Sequence, residues 1–148
     1  MADKARSLWL TLNFAGEYSA GKKPVTIRFR KYIPMFPQYR YVTTMEEVRK
    51  KFLEVFSEEF TDKILSQAVA DRDLIEHNDN IYVAYKKNDG EVSYNSWMHH
   101  VEDDGNGNFT VVMAVSSVDD IIYVKLPTGK NAEGKFVFTD YPYWDKSK

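Results

Sequence analysis

The chain has 148 residues, no cysteine and a formal net charge of −2. That length suits one domain with a sizeable core, and the lack of cysteine excludes a disulfide scaffold and thiolate metal sites. The near-neutral charge gives no global field for nucleic acid or a membrane surface. Ten tyrosines and nine phenylalanines point to broad sheet surfaces or an adhesive face. No apolar run approaches the roughly 18–20 residues of a membrane span, and the opening MADKARS lacks a signal peptide's apolar core. The expectation is either a cytoplasmic protein or an exported one whose export signal is not part of this sequence.

Residues 3–15 carry two patterns. Ala5, Leu8, Trp9 and Leu12 fit a helix face, with Asp3 as a cap and Gly21 past the end, while Leu8, Leu10, Leu12 and Phe14 fit strand alternation. Residues 22–42 change character. Lys22, Lys23, Arg28, Arg30, Lys31 and Arg40 are interleaved with Phe29, Tyr32, Phe36, Tyr39 and Tyr41, and no acidic residue occurs between Glu17 and Glu46. A strand fits residues 25–32. Pro34 and Pro37 then bar regular ladder pairing, so IPMFPQY reads as a loop or an edge.

The stretch TTMEEVRKKFLEVFSEEFTDKIL, residues 43–65, is the clearest structural signal. Thr44 lies three residues before Glu47, the capping-box spacing, and Met45, Val48, Phe52, Val55 and Phe56 form a stripe at helical spacing. Glu46/Lys50 and Glu47/Lys51 are i,i+4 pairs in the favourable order. Ser57 reads as a second cap, with Glu58 and Glu59 in the first turn and Phe60, Ile64, Leu65 and Ala68 continuing a buried stripe. Two helices with a bend at Ser57 are expected, over residues 44–56 and 58–68, or one kinked helix across both.

Residues 70–80 read as a polar connection. From there to residue 141 the pattern is an antiparallel meander. Residues 81–86 and 92–101 flank Asn88-Asp89-Gly90, a tight hairpin signal, and strands follow at 109–115, 121–126 and 136–141. The fold class expected is α+β in one domain, with N-terminal helices packed against a curved antiparallel sheet over residues 81–141.

No catalytic constellation stands out. His99 and His100 are neighbours on an expected strand, which sends their side chains to opposite faces and makes a shared metal poor geometry. Asp104, Asn106 and Asn108 imitate a calcium loop, but Phe109 stands where that loop needs glycine and Val115 where it needs glutamate, so a hairpin turn is the better reading. Asn108-Phe109-Thr110 is a glycosylation sequon, meaningful only on a eukaryotic secretory route. Neither a metal nor a cofactor is expected. The basic, aromatic run before the helices is the leading candidate for contacts with a protein partner, through Arg30, Tyr32, Met35, Phe36, Tyr39 and Arg40. A pocket on the inner sheet face, lined by Tyr82, Trp97, His99 and Tyr123, is the alternative. It would suit a small-ligand or enzymatic domain, in which His99 alone is placed for acid–base work.

The order of these features, together with TTMEEVRKKFLEVFSEEFTDKIL and the closing GKFVFTDYPYW, resembles the cystatin-like, nuclear-transport-factor-2-like cone of small Gram-positive envelope proteins. Within that group the two segments are most similar to the DL-endopeptidase (autolysin) inhibitor family, IseA-like. The resemblance implies a helix over residues 3–15. It also implies a secreted or cell-envelope, non-catalytic module that binds cell-wall hydrolases of the cysteine endopeptidase type and blocks their clefts.

Overall fold

A computed structural model describes residues 2–13, 23–35, 42–86, 95–116 and 120–141. The chain is α+β, with three helices and two four-stranded antiparallel sheets among the described residues. Helix α1 spans Ala2–Asn13, which settles the first ambiguity in favour of the helix, and it buries Ala5, Leu8 and Leu12.

The second and third helices form where the capping chemistry placed them. Helix α2 is Met45–Leu53, and its cap Thr44 accepts a hydrogen bond from the Glu47 N–H at 3.1 Å. The Glu47 carboxylate accepts from the Thr43 hydroxyl at 3.1 Å, and so takes part in a variant of the capping box. Helix α3 is Glu58–Ala70, with Ser57 Oγ accepting from the Phe60 N–H at 3.2 Å. The expected Glu46/Lys50 and Glu47/Lys51 pairs do not close among the described residues. The ion pairs on this surface run from Arg49 across to Asp62 (2.9 Å) and Glu58 (3.1 Å), tying α2 to α3. The bend between the helices is stitched to strand β8 (Phe136–Phe138): Ser57 N–H donates to Phe138 O and Phe138 N–H donates to Val55 O, both at 2.8 Å.

The expected single sheet over residues 81–141 is instead divided between two sheets. The first has the order β1-β2-β4-β3, built from β1 (Val25–Ile27), β2 (Arg30–Pro34), β3 (Leu74–His77) and β4 (Asn80–Ala84). Residues 81–84 therefore pair with β2 on one side and β3 on the other, leaving no edge for the expected hairpin partner at 92–101. The Asn88-Asp89-Gly90 signal lies outside the described residues. The polar connection at 70–80 contains strand β3, which Asn78 and Asp79 turn into β4 with φ of 47° and 60°. Positive φ at both central residues is the two-residue hairpin geometry, which Asn and Asp tolerate well.

The second sheet is the expected meander: β5 (Asn95–Asp103), β6 (Phe109–Ser116), β7 (Ile121–Lys130) and β8 in consecutive order. Its inner face supplies Met113, Val124, Leu126 and Phe138 to one core shared with all three helices and with Ile33, Ile81 and Val83 of the first sheet. Phe56 is the centre of an aromatic cluster there, with ring centroids 5.0 Å from Phe60 and 6.2 Å from Tyr141. On the other face of the first sheet, Ile27, Tyr32 and Ala84 form a small second cluster.

Candidate functional site

The β1–β2 hairpin turns through Arg28 and Phe29, because Ile27 pairs with Arg30. Both residues have positive φ, 50° and 68°. A turn of this kind is normally made by Asn and Gly, since a Cβ in the left-handed region costs about 1–2 kcal/mol per residue. Phe29 is fully exposed (104% of its reference area), so its ring adds strain without adding burial. Strained residues that serve no packing role are characteristic of ligand clamps and interaction sites.

The strain is held by the strands behind the tip. The Arg30 guanidinium donates to the carbonyls of Asp71 (3.1 Å) and Arg72 (3.2 Å) and pairs with the Asp73 carboxylate. The Tyr32 hydroxyl donates to Arg72 O at 2.8 Å, and Lys86 Nζ reaches the other Asp73 oxygen at 2.9 Å. Burial pushes the Asp73 carboxyl up, but the hydrogen bonds from Lys86 and Arg30 outweigh it and hold the group below the ordinary carboxylate range. Arg30 and Tyr32 thus fasten the hairpin to the turn between α3 and β3.

These contacts correct the sequence expectation residue by residue. Tyr32 is fully buried and Met35 is 1% exposed, so both are core side chains. Arg30 is engaged as a clamp. Phe36, Tyr39 and Arg40 lie outside the described residues. The segment's exposed charged and aromatic side chains among the described residues are Lys23, Arg28, Phe29 and Lys31, of which the expected set contained none. Two-residue periodicity across a strand assumed to be continuous concealed the turn, because Arg-Phe is not a recognisable hairpin dipeptide.

Beside the tip lies a cleft of about 350 Å³ lined by Ile27, Arg28, Met45, Val69, Arg72 and Ile75, among others. Met45 and Val69 also line a groove of about 600 Å³ between α2 and α3, so the two depressions adjoin along a half-exposed Val69. Neither Arg28 nor Arg72 makes an ion pair among the described residues. The site therefore combines a projecting aromatic ring, two guanidinium groups outside any ion pair among the described residues, and a trough of mixed apolar and charged lining.

The alternative pocket divides. Tyr82 belongs to the first sheet, half-buried against the His77 ring at 5.9 Å. Trp97, His99 and Tyr123 meet on the outer face of the second sheet, where Trp97, Ala114 and Tyr123 share one cross-strand row and the His99 ring meets Tyr123 edge-to-face at 4.9 Å. They stand exposed, Trp97 at 44% and Tyr123 at 58%, with His99 exposed beside them. The Asp104 region is a self-capped turn: Asp104 Oδ1 accepts from the N–H groups of Asn106 (2.7 Å) and Asn108 (3.1 Å). No helix among the described residues is long and apolar enough to cross a membrane.

No family model and no curated protein sequence matches the chain.

Proposed function

We propose that this chain is a non-catalytic protein-binding module that docks through the β1–β2 hairpin tip, with Phe29 as the anchor and Arg28 and Arg72 as the charged rim. The observation that carries this reading is Phe29, fully exposed and held at φ 68°. A convex tip of this shape suits the cleft of a partner, and its aromatic–arginine composition is that of interface hot spots. Exposed Lys23, Arg28, Lys31 and Arg72 favour an acidic partner surface, with a salt-sensitive association rate.

The finer reading rests on the resemblance of residues 43–65 and of the closing segment. It is an extracytoplasmic inhibitor of cell-wall DL-endopeptidases, on a cystatin-like cone. The test is inhibition of a purified cysteine-type DL-endopeptidase acting on peptidoglycan. Inhibition by the native chain, weakened at least tenfold by Phe29→Gly, is the expected result. An uninhibited enzyme removes the finer reading, and equal inhibition by both proteins removes the hairpin tip as the contact. The exposed His99 and the filled inner face of the second sheet weigh against the enzymatic alternative.

A further inference from the structure

Strand β5 carries a bulge that brings two imidazoles together. Met98 pairs with Met113 and His100 with Val112, which are consecutive on β6, so His99 is the extra residue. A bulge cancels the alternation that would have sent His99 and His100 to opposite faces, and re-aims side chains in the process. The sequence expectation of divergent rings is thereby overturned: His99 Nδ1 and His100 Nδ1 lie 2.6 Å apart.

The rings are also held. His100 Nε2 is 3.1 Å from Glu102 Oε1, while the other Glu102 oxygen accepts from Lys125 Nζ at 3.2 Å. Glu102 thus bridges His100 and Lys125 and holds the His100 ring in place. This contact engages Nε2 and leaves Nδ1 as the His100 nitrogen that faces His99. The Tyr123 ring meets His99 edge-to-face on the same side of the sheet. An imidazole whose far nitrogen donates to a carboxylate is the usual preparation of a metal ligand.

We propose that His99 and His100 form a two-nitrogen site for a divalent transition-metal ion on the outer face of the second sheet, with Glu102 as the positioning residue. Metal–nitrogen bonds of about 2.0–2.1 Å place ligands at right angles roughly 2.9 Å apart and tetrahedral ligands roughly 3.3 Å apart. The observed separation is shorter than both, so the rings part to admit an ion, and they part least for the tetragonal geometry of Cu²⁺ or Ni²⁺. Among the described residues no third His, Cys, Asp or Glu joins the pair, so water completes the shell on this exposed face.

The test is calorimetric titration of the full chain with Cu²⁺ or Ni²⁺ in a non-coordinating buffer, with Cu²⁺ electron paramagnetic resonance to count bound nitrogens. One ion per chain is expected, with two imidazole nitrogens. His99→Ala and His100→Ala each weaken binding at least tenfold, Glu102→Gln weakens it about tenfold, and His77→Ala, on the other sheet, leaves it unchanged. Melting curves check that each variant is folded. Absence of binding by the native chain, or equal binding by native and doubly substituted His99→Ala/His100→Ala proteins, overturns the proposal.

Discussion

Phe29 and Arg30 are adjacent on one hairpin and have opposite uses. Arg30 spends its guanidinium on two carbonyls and a carboxylate of the turn behind it, whereas Phe29 is fully exposed and sits in a backbone region hostile to its Cβ. Substitution should separate the two roles. Arg30→Ala removes charge-assisted hydrogen bonds from a partly exposed site and should cost about 1–2 kcal/mol after solvent screening, read by chemical denaturation. The same change should weaken partner binding only indirectly, by loosening the hairpin. In the core, Phe56→Ala opens a cavity among Phe52, Phe60, Phe138 and Tyr141 and should cost about 3–5 kcal/mol.

At the scale of elements, the first sheet depends on the fastening of β2 to the turn before β3, and that fastening is pH-sensitive. The Asp73 pKa is lowered in the folded chain, so its contribution to stability is complete above the ordinary carboxylate range. It is lost as pH falls through the folded value. Asp73→Asn should therefore lower stability at pH 7 and flatten the loss of stability below about pH 4, measured by unfolding at a series of pH values.

The helices were legible because capping and stripe are local: Thr44, Ser57 and the apolar positions after each cap declare themselves within four residues. The four-stranded meander was legible for the same reason. Strand β3 was not, since Leu74–His77 has only Leu74 fully buried and reads as polar. Its place was also disguised by a register that only long-range pairing with β4 sets. The bulge at His99 was equally hidden, because nothing in MHHV marks an unpaired residue and two-fold alternation is the default expectation. Of the candidate site, the segment was legible from its charge and aromatic content, but the residues within it were not. Tyr32 and Met35 look alike with Phe29 in composition, and only the turn decides which of them faces water.

Across the whole molecule, one core joins three helices to two sheets, and the sheets leave two distinct surfaces: a strained tip on the first and an aromatic–imidazole face on the second. The fold carries the tip rigidly, through the Arg30 and Tyr32 clamps, and this rigidity lowers the entropic cost of docking. Stability and binding are then in conflict at two residues. The most direct test of that conflict is the melting temperature of the Arg28→Asn/Phe29→Gly chain, which replaces the tip with the dipeptide its backbone prefers. Relief of roughly 2 kcal/mol of strain should raise the midpoint by about 4–8 °C. A lower midpoint would mean that Arg28 and Phe29 support the fold, and the tip would lose its claim as a binding element.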